Sequence, residues 1–372
     1  MRLACAIAVA TLLMAAAPAS APAASTTLPS AMQALVAAGA PGVLVLARNG
    51  SHSLRLAAGV SDRAHHTPMR MGDRFRIGSV TKTFVATLVL QLVGEGKLTL
   101  DDSVEKWLPG LVPDGKAITV RQLLNHTSGL FDYLNDGDGT VVKPYLQGKL
   151  GYVWAPRALV GVATKHPPHF PPAAGWSYSN TGYIVLGLIV EAATGDSLAT
   201  ELRRRVFAPL GLRNTSLDAS PRIAGRHAHG YYRAGRGPLQ DVTALSPSIA
   251  WAAGGIVSTV GDLAQFYRSL LGGRVLRPDL LQAMETTTPM GPAGEDYGLG
   301  LWETRSLGFE PGFSLPCADR VWGHDGDFPG YLTYAFNSMD GRRQAIVAIN
   351  DDALPKRAHP AVSRVVGRAF CA

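Results

Sequence analysis

The sequence predicts an α/β protein in which an antiparallel sheet, built from both ends of the chain, carries helices and an inserted, mostly helical domain. Three observations support this fold class: β-rich runs before residue 60, helical periodicity from about residue 80 to 285, and β-rich runs again after residue 286. The chain has 372 residues, 47% of them hydrophobic and 17% charged. It is therefore long enough to bury a core and too apolar to be disordered.

Residues 1–24 have the pattern of a secretory signal peptide. Arg2 precedes an apolar run from Leu3 to Ala17, and Ala-x-Ala steps suited to cleavage follow. A membrane span needs roughly 20 apolar residues, whereas this run is shorter and breaks at Pro18. Cys5 lies too close to Arg2 for a lipid-attachment signal. We expect a mature chain that is secreted or periplasmic, with no stable membrane insertion.

Residues 25–79 predict the first part of the sheet domain. An amphipathic helix near Met32–Ala38 precedes a strand at Val43–Ala47. An Asn49-Gly50 turn then leads to a returning strand at Ser53–Ala58, the pattern of a β-hairpin.

Residues 80–285 predict the inserted helical domain, because apolar residues recur there at helical spacing and several runs end before glycine. The predicted helices are Phe84–Val93, Val120–Leu124, Tyr183–Ala193, Leu198–Phe207 and Asp262–Leu271.

Residues 286–372 predict the return to the sheet domain. Short β-rich runs occupy Tyr297–Trp302, Tyr331–Phe336 and Ala345–Ile349, the last two joined across Met339-Asp340-Gly341. A helix at Ala361–Phe370 closes the chain.

Cysteine and charge content add two expectations. Export removes Cys5 and leaves Cys317 and Cys371 as an even pair in an oxidising compartment, which predicts a disulfide worth up to about 4 kcal/mol. The formal net charge is +7, and no basic run or basic-aromatic alternation occurs, so nucleic acid is not an expected partner. A basic surface suits an anionic cell envelope, so cell-wall peptidoglycan is a possible partner. The sequence does not indicate the oligomeric state.

The chemistry-bearing pattern begins at Ser79-Val80-Thr81-Lys82, at the start of a long apolar helix. Positions three apart share a helix face, so the Lys82 amine can take the proton of the Ser79 hydroxyl. The chain also contains a second match, Ser103-Val104-Glu105-Lys106. There Ser103 has the position of a helix cap, with Glu105 and Lys106 in solvent.

Two later segments could complete a catalytic site. In Tyr178-Ser179-Asn180, just before an apolar helix, the phenol could relay a proton and the amide could hold the lysine or the substrate. A rival pair exists at Tyr133 and Asn135. In His324-Asp325-Gly326-Asp327, at the end of a short strand, Gly326 would let a substrate lie close to the backbone.

The order Ser-x-x-Lys, Tyr-x-Asn and His-x-Gly resembles the penicillin-recognising serine hydrolases, the family of class C β-lactamases and secreted D-alanyl-D-alanine carboxypeptidases. The resemblance runs from about residue 30 to Cys371. It also covers the segments Phe75–Ser79, Gly96–Leu98, Thr119–Leu124, His126–Leu130, Ala252–Gly255 and Tyr297–Leu301. His324 in place of the usual strand Lys is similar to the carboxypeptidase branch.

The resemblance implies a β-lactamase/DD-peptidase-like fold and a set of residue roles. Ser79 would be the acylated nucleophile, Lys82 the base and Tyr178 the proton relay. Asn180 and His324 would bind substrate, and the backbone N–H groups of Ser79 and Asp327 would form the oxyanion hole. Trp251 would line the cleft. The family uses no cofactor or metal and acts on small peptides, β-lactams or esters.

The sequence departs from the carboxypeptidase pattern where that family holds a free carboxylate. Asp325 and Asp327 replace threonines, and Trp302 replaces an arginine. Two acids in a desolvated cleft disfavour an anion by about 1 to 3 kcal/mol each. The expected activity is D-alanyl-D-alanine carboxypeptidase-like, with class C-like β-lactamase, or esterase, D-aminopeptidase or amidase activity as alternatives.

Other classes fit less well. His227-Ala228-His229 lacks the acid that a zinc hydrolase would need, and no serine has the Gly-x-Ser-x-Gly context of an α/β-hydrolase. A catalytically inactive envelope-binding relative remains an alternative, although the intact Ser79, Lys82 and Tyr178 argue against it.

Overall fold

The computed structural model describes residues 27–235, 237–291, 295–304, 317–318 and 320–372, so the predicted signal peptide lies outside the described residues. The helices are α1 Leu28–Ala37, α2 Thr81–Gly94, α3 Val104–Trp107, α4 Val120–Leu124, α5 Lys143–Leu146, α6 Pro156–Ala163, α7 Asn180–Thr194, α8 Leu198–Leu202, α9 Trp251–Gly254, α10 Val260–Leu271, α11 Pro278–Glu285 and α12 His359–Phe370. The strands are β1 Gly42–Asn49, β2 His52–Asp62, β3 Thr67–Pro68, β4 Phe75–Arg76, β5 Tyr231–Tyr232, β6 Gln240–Asp241, β7 Val257–Ser258, β8 Thr288–Pro289, β9 Asp296–Tyr297, β10 Trp302–Thr304, β11 Val321–Phe328, β12 Tyr331–Asn337 and β13 Arg343–Ile349.

A nine-stranded antiparallel sheet holds the two ends of the chain together, in the order β3-β2-β1-β13-β12-β11-β10-β9-β8. Its residues alternate between two cores, as the period of a strand requires. In β1, Val43 and Val45 pack with α1 and α12, whereas Leu44 and Leu46 join the larger core that contains the helices of residues 81–285. This architecture confirms the predicted fold class.

Three predicted elements differ in detail from the structure. The first hairpin turns at Gly50 and Ser51, because Asn49 still pairs with His52. The predicted strand Tyr297–Trp302 is a hairpin, in which β9 and β10 pair through Tyr297 and Trp302. The predicted helix Leu198–Phe207 is α8 followed by a π-helical turn at Arg203–Phe207.

Strand β11 is longer than predicted and has an open edge that becomes important at the site. It pairs with β12 along Trp322–Phe328, whereas β10 pairs only with Val321–Gly323. Phe328 and Tyr331 flank the two-residue turn at Pro329 and Gly330 and therefore form a hydrogen-bonded pair. Hydrogen-bonded and non-hydrogen-bonded pairs alternate along an antiparallel ladder, and Asp327 is the residue next to Phe328. Its N–H therefore points away from β12.

Two further features concern the ends of the described chain and its helices. Cys317 and Cys371 lie with Cα atoms 5.6 Å apart and their sulfur atoms joined, a separation that suits a disulfide. Within the described ranges, no single helix is long and apolar enough to cross a membrane. Two helical segments, Asn180–Thr194 and Leu198–Phe207, meet that test only together and are separated by an 81° bend.

Candidate active site

Ser79 lies in a 3-10 turn, Gly78–Val80, that leads directly into α2. Gly78 has a φ of +53°, and a Cβ there would be 2.6 Å from the backbone N of Asp327. Only glycine permits so close an approach in this conformation. The contact places the nucleophile beside the open edge of β11.

Lys82 follows one turn later and is completely buried. Its Nζ lies 3.0 Å from Ser79 Oγ, 2.8 Å from Asn180 Oδ1 and 2.8 Å from the carbonyl oxygen of Ala253. A neutral amine has two N–H donors and one lone pair. With the two donors on Asn180 and Ala253, the lone pair is left for the hydroxyl proton of Ser79.

Burial lowers the pKa of Lys82 from 10.5 to about 7, against the opposing charges of Asp132 and Asp325. Burial disfavours the charged ammonium form because it removes water from it. A substantial share of Lys82 is therefore neutral at neutral pH. This is the protonation state that a general base requires.

Tyr178 completes the contacts of the serine. Its hydroxyl donates to Ser79 Oγ at 2.8 Å, and Lys82 Nζ lies 4.8 Å from the centre of its ring. Burial, which disfavours the charged phenolate, raises the pKa of Tyr178 well above 10. Tyr178 is thus a protonated phenol at neutral pH, suited to pass a proton and not to act as the primary base.

Asn180 is the first residue of α7 and connects Lys82 to a buried carboxylate. Its Nδ2 donates to Asp132 Oδ2 at 2.8 Å, while its Oδ1 accepts from Lys82. Asp132 therefore fixes which way the amide points. The sequence analysis missed Asp132, although it lies two residues after the segment His126–Leu130 that carried part of the family resemblance.

His126 is a second functional residue that the sequence analysis did not single out. It is 1% exposed, its φ is +63°, and its Nδ1 accepts the backbone N–H of Ser179 at 3.2 Å. Its ring lies 4.4 Å from that of Tyr178. Burial, followed by Lys82 and His324, lowers its pKa well below 6.5, so His126 packs under the catalytic tyrosine as a neutral ring.

The two residues predicted to form the oxyanion hole lie close together. Ser79 and Asp327 line the same cavity, and the backbone of Gly78 touches that of Asp327. The N–H of Asp327 points to the open edge of β11, the edge beside which Gly78 and Ser79 lie. The side chain of Asp327 is exposed to this cavity, and desolvation by the cavity walls, with the charge of Asp325, raises its pKa to about 6.

Two residues predicted to bind substrate, His324 and Gly326, contact other parts of the protein instead. His324 is 2% exposed, and its Nε2 lies 2.9 Å from the hydroxyl of Tyr297. It therefore packs with the rings of Tyr178 and Tyr297 and is not among the described residues that line the cavity. A Cβ at Gly326 would be 2.0 Å from the carbonyl oxygen of Ile77, so this glycine admits the backbone before Ser79 and not a substrate.

Neither tryptophan named in the sequence analysis is among the described residues that line the cavity. Trp251 was predicted to line the cleft, but its ring lies against Gly187 of α7, where a Cβ would be 2.7 Å from Trp251 Cζ3. The neighbouring Ala250 and Ala253 line the cavity instead. Trp302 packs edge-on to Phe336 on the face of the sheet that carries α1 and α12.

The rival motifs have structural roles. Ser103 Oγ accepts the backbone N–H of Lys106 at the start of α3, which confirms its predicted role as a cap. Tyr133 is buried and donates to the carbonyl oxygen of Ile249 at 2.6 Å. His229 contacts Asp241, and no group of three or more metal-ligating side chains converges among the residues that the structure describes.

These residues surround a cavity of about 410 Å³, whose described lining includes Ser79, Tyr178, Asn180, Ala253 and Asp327. The cavity presents a hydroxyl with a neutral amine beside it, a phenol that donates to the same oxygen, and the residues Ser79 and Asp327 whose backbone N–H groups are the predicted oxyanion donors. That arrangement suits nucleophilic attack on a carbonyl and formation of an acyl-enzyme.

Comparison with known proteins decides the family. Residues 28–366 match the family described as Beta-lactamase. The chain belongs to the β-lactamase family. Members of this family are serine hydrolases, among them penicillin-binding proteins, D-aminopeptidases and an esterase. The predicted recognition and enzyme class are thereby confirmed.

Three similar proteins illustrate the range within this family. Penicillin-binding protein 4 of Amycolatopsis lactamdurans is 32% identical over 75% of this chain and 72% of its own length. The structure of a D-stereospecific amidohydrolase from Streptomyces sp. has a TM-score of 0.82 and 37% identity, covering 94% of this chain and 99% of its own. The D-amino acid amidase of Ochrobactrum anthropi SV3 has a TM-score of 0.77 and 27% identity, covering 92% and 96%.

Proposed function

We propose that this β-lactamase-family hydrolase cleaves amides of D-amino acids, and related esters, through an acyl-enzyme on Ser79. One observation carries the choice of substrate: among the described residues that line the catalytic cavity, Asp327 is the only one with a charged side chain. A carboxylate there attracts the ammonium group of an amino acid amide and repels a free carboxylate.

The residues of the cavity support a two-step reaction. Neutral Lys82 takes the proton of Ser79 as its oxygen bonds to the carbonyl carbon, and the N–H groups of Ser79 and Asp327 hold the resulting oxyanion. The carbon–nitrogen bond then breaks. Tyr178 gives its proton to the leaving amine and regains one from the Lys82 ammonium. Water attacks the acyl-enzyme by the same route, which releases the acid and restores Ser79.

The cavity gives less support to a D-alanyl-D-alanine carboxypeptidase. That activity requires a cationic or hydroxyl group for the terminal carboxylate, whereas Asp327 faces the cavity here and Trp302 packs on Phe336. The amidohydrolase and amidase named above add support, because both cover more than nine-tenths of this chain. The name of the first specifies D-stereospecific amide hydrolysis, and the name of the second specifies D-amino acid amides.

The test compares substrates whose terminal groups differ in charge. We expect a higher kcat/KM for D-alaninamide than for its N-acetyl derivative, and for a D-alanyl-D-alanine amide than for the corresponding acid. Asp327→Asn should lower kcat/KM for D-alaninamide by roughly 5- to 150-fold, from about 1 to 3 kcal/mol for the lost charge pair, and leave the N-acetyl substrate unchanged.

Asp325→Asn is the matched control, because Asp325 neighbours the site without lining the described cavity. A D-alanyl-D-alanine acid cleaved a hundredfold faster than its amide would overturn the proposal. Rapid turnover of a β-lactam, followed by intact-mass spectrometry of the adduct, would point to the β-lactamase alternative.

We further propose that the mature chain is exported, with Cys317 and Cys371 as a disulfide. The charged start and apolar run of residues 1–24 and the 5.6 Å separation of the two Cα atoms support this. Expression with residues 1–24 intact should yield a mature protein that lacks them, found in the periplasm or medium. Retention of the whole chain in the cytoplasm would contradict this.

A further inference from the structure

A second cavity adjoins the catalytic one. It has a volume of about 500 Å³ and lies between α5, with the loop that follows it, and the strand pair β5–β6. Val142, Ile249 and Pro329 line both cavities, so the two lie directly side by side. We call this second cavity the side chamber. Its size is typical of sites that enclose a small organic group.

The side chamber is apolar. Among the described residues that line it, only Gln240 and Asp241 carry an amide or a charge. The carboxylate of Asp241 already has hydrogen-bond partners in His229, at 2.7 Å, and Thr243. Leu245 forms part of the buried wall, and Leu146, which is 69% exposed, leaves a large aliphatic side chain at the opening. Such a surface gains free energy when an apolar group covers it.

The position of the chamber indicates which part of a substrate enters it. The leaving amine must lie near Tyr178, which supplies its proton. The shared residue Pro329, in contrast, lies two residues after Asp327, whose backbone N–H is the predicted oxyanion donor and whose side chain faces the cavity. A group that extends from Asp327 past Pro329 is therefore attached to the acyl carbon and stays with the enzyme after the amine departs.

We propose that the side chamber binds the amino acid side chain of the acyl group, and that the enzyme prefers aminoacyl substrates with large apolar or aromatic side chains. This inference rests on the proposed function. A D-amino acid amide would place its ammonium at Asp327 and its side chain in the chamber, while its carbonyl carbon lies at Ser79. The chamber thus contributes to specificity without taking part in the chemistry.

The direct test uses p-nitroanilides of D-alanine, D-leucine and D-phenylalanine. Each methylene that is buried favours binding roughly fourfold, so kcat/KM should rise at least tenfold from D-alanine to D-phenylalanine. Ala234→Trp fills the chamber without lining the catalytic cavity and should remove most of this preference while retaining D-alanyl turnover. Its matched control is Ala64→Trp, at another exposed alanine.

A second variant tests polarity instead of volume. Leu146→Glu should reduce the D-phenylalanine preference, whereas Leu54→Glu, at an exposed leucine of β2, should not. Equal rates for the three p-nitroanilides in the unmodified protein would overturn the inference and leave the proposed function intact. Equal losses for D-alanine and D-phenylalanine in Ala234→Trp would also overturn it.

A covalent probe separates the failure of this inference from the failure of the proposed function. If no aminoacyl p-nitroanilide is cleaved, the proposed function is wrong. The labelling of Ser79 by alkyl fluorophosphonates then tests whether the side chamber binds an apolar group. A decyl probe should then label Ser79 at least tenfold faster than an ethyl probe, and Ala234→Trp should cancel the difference. Equal labelling rates would overturn the proposal of an apolar chamber.

Discussion

Replacing Asp132 by Asn should change both the rate and the pH dependence of acylation. The carboxylate accepts a hydrogen bond from Asn180, whose other side accepts from Lys82, each at 2.8 Å. With the width of the amide, the Lys82 nitrogen and the Asp132 oxygen are at most about 8 Å apart. At an effective dielectric of about 20, that distance corresponds to about 2 kcal/mol of attraction, or about 1.5 pH units on the Lys82 pKa.

The sign follows from the charge. Asp132 favours the ammonium form and raises the pKa of Lys82, whereas burial lowers it to about 7. Without this carboxylate the neutral base persists to lower pH. The acidic limb of kcat/KM for acylation should therefore move down by about 1.5 pH units. The plateau should also fall, because Asn180 loses the carboxylate that fixes its orientation.

The assay is the rate of acylation of Ser79, measured by intact-mass spectrometry between pH 5 and 9. Asp325→Asn is the control, because Asp325 also raises the pKa of Lys82, whereas the side chain of Asn180 bonds to Lys82 and Asp132. For Asp325→Asn we expect the acidic limb to move to lower pH while the plateau rate is retained. An acidic limb that stays in place or moves up in Asp132→Asn would refute the assignment of this limb to Lys82.

Three further predictions follow from single contacts. Tyr178→Phe removes the hydroxyl 2.8 Å from Ser79 Oγ and should lower kcat by roughly 10²- to 10⁴-fold, measured with an amide substrate, while an activated ester with a good leaving group should be affected far less. Gly326→Ala places a Cβ 2.0 Å from the carbonyl oxygen of Ile77 and should lower the free energy of unfolding by about 3 kcal/mol or more in a denaturant titration; a change below about 0.5 kcal/mol would show that this approach is not needed. Reduction of the Cys317–Cys371 pair should lower the same free energy by up to about 4 kcal/mol, and two free thiols in the unfolded, unreduced protein would contradict the pairing.

The sequence predicted the parts of this protein that depend on local spacing. Ser79 and Lys82 lie three positions apart on one helix, so their contact follows from helix geometry alone. The β-rich runs near both ends of the chain, and the turn signals between them, likewise predicted the sheet. The same spacing rule also selected Ser103 and Lys106. There the serine caps α3 and the lysine is half-exposed and bonds to Asp102.

The remaining parts depend on contacts between distant segments. Asp132 and His126 act through Asn180 and Ser179, about 50 residues further along, and no local pattern marks such partners. Gly326 was read as space for a substrate, because a sequence cannot show that the Ile77 carbonyl fills that space. The side chamber likewise arises only where α5 meets β5, β6 and the turn after β11.

The central claim is that a neutral Lys82, buried beside Ser79, removes its proton. The most direct measurement is the pH dependence of Ser79 acylation by one probe in the unmodified protein and in Lys82→Arg, whose guanidinium keeps its proton at all accessible pH values. We predict a rate that rises tenfold per pH unit below an apparent pKa of about 7 in the former, and no acylation above background at any pH in the latter. A rate independent of pH from 5 to 9, or comparable acylation of Lys82→Arg, would contradict the account.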